Sequence, residues 1–289
     1  MRILLTGSKG QLGRCFKDRL PEDWELIAAD SATLNITDAA AVMNMAKNFQ
    51  PDVIVNTAAY TDVDKAEKEL EVAFAVNSKA VHNLATAASE VKARFVHVST
   101  DYVFGGLHRT PYTEVSPVNP SSIYGKSKLS GELLALAANP QSLIIRTAWV
   151  FSEYGNNFVK KILAAADTKK ELPVVDDQYG CPTYAGDLAQ TIIELLEKPN
   201  FSRGLYHYCG AKPVSWYEFA KVIIQEAAVY QPVLNETVVK AVNSDELSIG
   251  APRPAYSVLD CSKILMDYNI EKPDWQKGLK EVIQKLNAQ

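Results

Sequence analysis

The chain has 289 residues, 47% hydrophobic and 22% charged, which is enough apolar material for one large folded unit or two smaller ones. A formal charge of −4 gives no electrostatic basis for holding nucleic acid, and no apolar run approaches the ~18 residues a membrane span needs. Cys15, Cys181, Cys209 and Cys261 form no Cys-x-x-Cys pair, and His82, His97, His108 and His207 show no metal-ligand spacing, so the expectation is reduced thiols in a cytoplasmic protein with no bound metal.

Residues 1–6 are a short apolar run that reads as a buried strand and leaves no room for a signal peptide. Gly7-Ser8-Lys9-Gly10-Gln11-Leu12-Gly13 follows, and then a helical pattern up to Leu20. Strand, Gly-rich turn and helix are the parts of a dinucleotide-binding unit: the glycines let the backbone approach a pyrophosphate, and the helix N-terminus offers it unpaired N–H groups. A second strand at 24–29 ends at Asp30, an acidic residue placed to accept from an adenosine ribose 2′-OH. That reading favours NAD over NADP, unless a neighbouring cation admits the extra phosphate.

Helix about 38–49, strand 51–56, a long helix about 70–89, strand 93–99 and strand 142–147 complete a regular alternation. This pattern implies a parallel sheet covered by helices on both faces, with its ligand at the C-terminal strand ends. The unusual clusters fall at those ends: the Gly turn, Asp30, the run Asn56 to Thr61, and Ser99-Thr100-Asp101. Beyond Thr147 prolines and aromatics increase, and helices are expected near 156–167, 184–197, 215–228 and 274–287, with a strand at 204–208 that may return to the main sheet. The expected division is a dinucleotide-binding domain at 1–150 with a return segment at about 183–208, and a smaller mixed substrate domain at 151–182 and 209–289.

Tyr124-Gly125-Lys126-Ser127-Lys128 carries the most pointed chemistry. Tyr124 and Lys128 are four residues apart, so on a helix they share one face. An ammonium near a phenol favours the phenolate and lowers its pKa, which makes the pair a device for making or breaking an alcohol. A plain helix surface is the alternative reading of such a pair alone.

Together, Gly7/Gly10/Gly13, the loop Asn56-Thr57-Ala58-Ala59, Thr100 and Tyr124/Lys128 resemble the extended short-chain dehydrogenase/reductase family. Runs such as Tyr60-Thr61-Asp62-Val63-Asp64-Lys65-Ala66-Glu67, Ser99-Thr100-Asp101-Tyr102-Val103-Phe104, Arg146-Thr147-Ala148-Trp149-Val150-Phe151 and Arg253-Pro254-Ala255-Tyr256 are similar to a subgroup of that family acting on 4-keto sugar nucleotides. The resemblance implies a Rossmann-type doubly wound α/β fold and reduction of a dTDP-sugar ketone by NADPH or NADH. It implies Tyr124 as proton donor, Lys128 on the nicotinamide ribose and on the acidity of Tyr124, and Thr100 on the keto oxygen. Cofactor contacts are implied at Gly7, Gly10, Gln11, Leu12, Gly13, Asp30, Asn35, Ile36, Ala58, Ala59, Tyr60 and Thr61, besides Tyr124 and Lys128.

For the sugar nucleotide the candidates are Thr100, Asp101, Trp149, Asn157 and Arg253. Asp101 either touches the sugar or caps the next segment; Trp149 either walls the pocket or packs in the core; Arg253 either grips the diphosphate or sits in a surface salt bridge. Family members commonly carry Asp at Asn35 and His at Tyr60, and Arg14-Cys15 stands where some hold an acidic ligand for a magnesium ion between subunits, which argues against a metal-bridged dimer. A monomer or a homodimer remains open. Two other functions are weighed: a sugar-nucleotide epimerase or 4,6-dehydratase, whose dehydratase form needs an Asp-Glu pair where this chain has Asp101-Tyr102, and a non-catalytic cofactor-binding subunit like that of methionine adenosyltransferase, which need not keep the Thr100/Tyr124/Lys128 set.

Overall fold

The computed structural model describes residues 1–198, 203–247 and 250–288. The first half runs β1 (Arg2–Thr6), α1 (Gln11–Asp18), β2 (Glu25–Ala29), α2 (Ala39–Phe49), β3 (Val53–Asn56), the short α3 (Val63–Ala66) and α4 (Leu70–Phe74), α5 (Ala80–Glu90), β4 (Arg94–Thr100), α6 (Ile123–Ala138) and β5 (Leu143–Thr147). The second half contains β6 (Val150–Phe151), α7 (Phe158–Ala166), β7 (Glu171–Val175), β8 (Tyr179–Gly180), β9 (Thr183–Tyr184), α8 (Ala185–Glu197), β10 (Gly204–His207), β11 (Val214–Ser215), α9 (Trp216–Ala228), β12 (Val238–Val242), α10 (Ser262–Tyr268) and α11 (Trp275–Asn287).

Six strands pair side by side in the order β10-β5-β4-β3-β1-β2, every pair parallel. Successive side chains of a strand point to opposite faces. Ile3, Leu5, Val53, Val55, Val96, Leu143 and Ile145 therefore pack with Cys15 and Phe16 of α1 and with Leu188 and Ile192 of α8. Leu4, Ile54, Phe95 and Ile144 pack on the opposite face with Val42, Ala46, Val81, Leu84, Ala85 and Ala135 from α2, α5 and α6. A sheet buried on both faces is why its strands read as continuous apolar runs. The doubly wound parallel fold inferred from the alternation is the fold observed. Of the segment at about 183–208 expected to return to the sheet, α8 and β10 are in place, β10 lying on β5; residues 199–202 are outside the described residues.

The second half is more ordered than its irregular texture implies. A third core joins Val159, Val174, Phe219, Ile223, Trp275 and Leu279 from α7, β7, α9 and α11, and β7 pairs in parallel with β12. The long helix expected at 70–89 is interrupted: Ala75–Lys79 forms a single π-helical turn between α4 and α5. Such a turn re-aims one side chain and is frequent at functional sites; here it carries the buried Asn77. All four cysteines are buried, and the fold brings two that the sequence separates, Cys209 and Cys261, to an Sγ–Sγ distance of 3.7 Å. Among the described residues no helix is long and apolar enough to cross a membrane.

Candidate active site

A cleft of about 780 Å³ opens along the C-terminal ends of the strands. It is lined from β1 and the Gly turn by Gly7, Lys9, Gly10, Gln11 and Leu12, and after β2 by Asp30, Asn35 and Ile36. Ala58, Ala59 and Thr61 line it after β3, Thr100 and Asp101 after β4, Tyr124 and Lys128 from α6, and Trp149 and Asn157 beyond β5. Tyr60, Gly13 and Arg253 stand outside this lining.

The Gly turn fits a pyrophosphate cradle. Gly7 has φ +74° and a Cβ there would lie 2.5 Å from Ala58 N, so the position admits no side chain. Gly13 packs so closely on the turn that a Cβ would come within 2.3 Å of Gly7 O. Gly10 N–H closes the turn on Gly7 O at 2.9 Å. Helix α1 begins here with no acidic residue in its first turn and no side-chain cap, which leaves its N–H groups and positive dipole end for an anion.

Asp30 takes an ion pair from Lys9, a partner not anticipated from the sequence. Its carboxylate also accepts from Ala32 N at 3.0 Å and Thr33 N at 2.9 Å. The Lys9 ammonium first, and then Thr33, hold this carboxyl well below the usual range. Asn35 folds its amide oxygen onto Thr37, from Thr37 N at 3.1 Å and Thr37 Oγ1 at 2.8 Å, and Ile36 O accepts from Asn83 Nδ2 at 3.0 Å. Tyr60 directs its hydroxyl away from the cleft, donating to Glu69 at 2.7 Å, while its backbone is gripped by Asn77: Tyr60 N donates to Asn77 Oδ1 at 2.8 Å and Asn77 Nδ2 donates to Tyr60 O at 3.0 Å. Asn77 also donates to Ser127 Oγ on α6 at 3.0 Å, so the π-helical turn ties the loop after β3 to the Tyr/Lys helix.

Helix α6 begins at Ser122, whose Oγ accepts from Gly125 N at 3.1 Å. Tyr124 lies in the first turn and Lys128 one turn on, both facing the cleft. Burial pushes the Tyr124 phenol up to about 12, against the pull of the neighbouring Thr100 hydroxyl. Lys128 sits one turn on from it and is held from the sheet side. Its ammonium donates to Val98 O at 2.7 Å and stands 3.5 Å from His97 Nε2, and burial lowers its pKa to about 8. Thr100 Oγ1 accepts from Tyr102 N at 3.2 Å and donates to Asp101 Oδ1 at 3.0 Å. Asp101 is 2% exposed, its Oδ2 has no partner, and burial raises its carboxyl to about 6.

Trp149 adopts the left-handed φ of +47° and stacks face to face on Trp216 of α9, ring centroids 3.4 Å apart. Trp216 also lines the cleft, one of the aromatics that become frequent beyond Thr147. Asn157 is the N-cap of α7: Oδ1 accepts from Lys160 N at 3.2 Å, and Nδ2 donates to Gln11 Oε1 at 2.9 Å and Ser152 O at 2.8 Å. Arg253 pairs with Asp64 at 2.8 Å, the salt-bridge alternative, and donates to Ala251 O at 3.2 Å. Lys9, Asn77, His97 and Trp216 carry no local signature of the places they take in and around this cleft.

A family model described as the RmlD substrate binding domain matches residues 1–288. A dTDP-4-dehydrorhamnose reductase of Aggregatibacter actinomycetemcomitans is 43% identical over 97% of this chain and 98% of its own. The crystal structure of a dTDP-4-dehydrorhamnose reductase from Clostridium acetobutylicum superposes with a TM-score of 0.93 at 39% identity, covering 99% of each chain. That of a dTDP-4-dehydrorhamnose reductase from Bacillus anthracis, solved in complex with NADP, gives 0.91 at 35% identity over 98% of this chain and 99% of its own. With one cleft holding a Gly turn, a Tyr/Lys helix and a strand-end Thr, and with full-length similarity at this level, the chain belongs to the RmlD substrate binding domain family, within the dTDP-4-dehydrorhamnose reductases.

Proposed function

We propose that this chain reduces the 4-keto group of dTDP-4-dehydro-L-rhamnose to dTDP-L-rhamnose with NADPH or NADH. The observation that carries the reading is Tyr124, Lys128 and Thr100 lining one cleft with the Gly turn in a chain 43% identical end to end to a reductase of that name. The nicotinamide supplies the hydride to C4. Tyr124 gives a proton to the oxygen as its charge develops; a phenol at about 12 stays loaded at neutral pH and is still a stronger acid than the sugar alcohol it forms. Thr100 donates to the same oxygen, a role that requires its hydroxyl to turn from Asp101 Oδ1. Asp101, on the cleft wall beside it, is the group for a sugar hydroxyl. The Trp149/Trp216 stack walls the sugar end of the cleft.

Gly7, Gly10, Gln11, Leu12 and the start of α1 would take the pyrophosphate; Asp30, Asn35 and Ile36 the adenosine; and Ala58, Ala59, Thr61 and Lys128 the central part of the cofactor. Tyr60 contributes its backbone and Gly13 its close packing. Asn157, whose amide is held by the cap and by Gln11, ties the Gly turn to α7 and is a candidate for the nucleotide at the cleft wall. Arg253 spends one guanidinium nitrogen on Asp64 and adjoins Tyr102 of the cleft wall, so it keeps donors for a diphosphate. On this reading residues 1–150 with about 183–208 hold the cofactor, and 151–182 with 209–289 form the substrate domain, in a cytoplasmic monomer or homodimer. The test is a coupled assay that supplies the 3,5-epimerised 4-keto sugar nucleotide and follows NADH and NADPH absorbance separately. Absence of turnover with both cofactors, in protein that binds them, would favour the non-catalytic cofactor-binding reading.

Two expectations arise here. Lys128 is needed as an ammonium, and its pKa is lowered to about 8, so the competent form is present below that pH and lost above it. The kcat/KM profile should be level below about pH 8 and fall about tenfold per unit beyond it, and Lys128→Met should remove that limb along with most of the activity. A profile flat into the alkaline range sets Lys128 aside. At the adenosine end, Asp30 accepts from a 2′-OH and repels a 2′-phosphate, while Lys9 beside it offsets that repulsion, so NADH should be used at least as well as NADPH without excluding it. Asp30→Ala should shift the ratio of the two affinities toward NADPH by about tenfold, or about 1.4 kcal/mol, measured by titration calorimetry. An unchanged ratio takes Asp30 away from the ribose.

A further inference from the structure

One row of the sheet is polar where the row before it is apolar. Leu4, Ile54 and Phe95 stand on one face of β1, β3 and β4 and belong to the core; two residues on, Thr6, Asn56 and His97 occupy the same face, paired in register. The hydride step as read above uses none of the three, yet all are at most 1% exposed. Thr6 Oγ1 donates to Asn56 Oδ1 at 2.7 Å, and Ala58 N–H donates to the same oxygen at 3.1 Å. A backbone N–H only donates, so this atom is the amide oxygen, and the group facing His97 Nδ1 at 3.0 Å is the amide N–H. His97 therefore accepts at Nδ1. Burial, and then the charge of Lys128, hold it well below its ordinary pKa, so the ring is neutral and its one proton sits on Nε2.

That Nε2–H is aimed at Lys128 Nζ, 3.5 Å away. An ammonium carries three N–H donors. Val98 O takes one at 2.7 Å, and a ring nitrogen that already holds a proton accepts none. We propose that His97, fixed as its Nε2–H tautomer by Asn56, is a positioning residue that denies Lys128 a second acceptor on the sheet side and so directs its two remaining N–H bonds at the cleft. The inference rests on the reading of Lys128 as a cofactor-orienting cation. The other ionisable groups around Lys128 are Tyr124 and Glu132 on α6 and, from β5, Arg146, which pairs with Glu132. Glu132 favours the ammonium; an N–H dipole aimed at Nζ from 3.5 Å opposes it, so removing the Nε2–H strengthens the ammonium's hold on its proton.

The direct test is nitrogen NMR of histidine-labelled parent protein, with the His97 signals assigned by their loss in His97→Asn. The expected result is a protonated Nε2 and a bare Nδ1, unchanged between about pH 6 and 9 where a free imidazole titrates. A proton on Nδ1, or titration near the free value, overturns the proposal whether or not any variant folds. In His97→Asn the amide oxygen keeps an acceptor for Asn56, and the space left beside Nζ admits a water that accepts from the ammonium. The alkaline limb should then move up by about one pH unit and NADH affinity should fall about three- to tenfold. His97→Gln, which restores an amide N–H near Nε2, should return the limb toward the parent position. Equal shifts in both variants, or none in a folded His97→Asn, would mean that His97 only fills space. If instead Lys128→Met kept its activity, the reading of the site would fail while the tautomer result stood.

Discussion

Tyr124→Phe is expected to bind NADH and NADPH as the parent does and to lose about 10²–10⁴ in turnover. The substitution removes one hydroxyl and keeps a ring that packs edge-on to Tyr102, centroids 5.6 Å apart, so the first turn of α6 and the cleft wall should survive. What it removes is the group with both the position and the acidity for the step. Of the other cleft groups, Thr100 has a hydroxyl too weakly acidic to replace it, Lys128 gives one N–H to Val98 O and its others to the cofactor on the reading above, and Asp101, raised only to about 6, is mainly ionised at neutral pH. The measurement is single-turnover reduction in the coupled assay alongside calorimetric cofactor binding. A Phe variant within a few-fold of the parent assigns the proton to another donor, of which Asp101 acting through Thr100 is the next in reach.

Arg146→Met is expected to lower stability by about 3–5 kcal/mol, read by urea denaturation. Glu132 and Arg146 form a bidentate pair, Nε to Oε1 at 2.9 Å and Nη2 to Oε2 at 2.6 Å, both side chains 4% exposed. Ser99 Oγ adds a donor to Oε1 at 2.5 Å. Removal of the guanidinium leaves a carboxylate inside the protein with one hydroxyl bonded to it and only the more distant Lys128 ammonium to offset it, and that poorly compensated charge is the reason for the size of the effect. Glu132→Gln added to Arg146→Met should recover part of the loss, because no buried charge remains. Equal stability of the parent and the single variant would mean that water reaches Glu132 once the arginine is gone. The pair clamps α6 to β5 directly behind Thr100, so a partly folded variant should also lose turnover.

The chain by itself determined what short-range periodicity encodes. Alternating faces of the sheet strands, the glycine spacing between β1 and α1, and the four-residue step from Tyr124 to Lys128 are set by bond geometry within one element, and each is where local pattern places it. Everything that decides how those groups behave came from contacts across elements. Lys128 meets His97 from 31 residues away because β3 and β4 pair in one register and no other, and a slip of one residue would turn His97 to the opposite face. Asp64 and Arg253, 189 residues apart, found each other through the packing of the second half against the first, and Asn157, whose Oδ1 caps α7 locally, meets Gln11 with its Nδ2 only because α7 starts beside α1. The π-helical turn at Asn77 is invisible in the sequence for the same reason: the energy that favours it lies in hydrogen bonds to Tyr60 and Ser127, which exist only once the loop after β3 and helix α6 are in place. Burial also belongs to the assembled fold, and it is burial that raises Tyr124 and lowers Lys128, the reverse of what the isolated pair suggests.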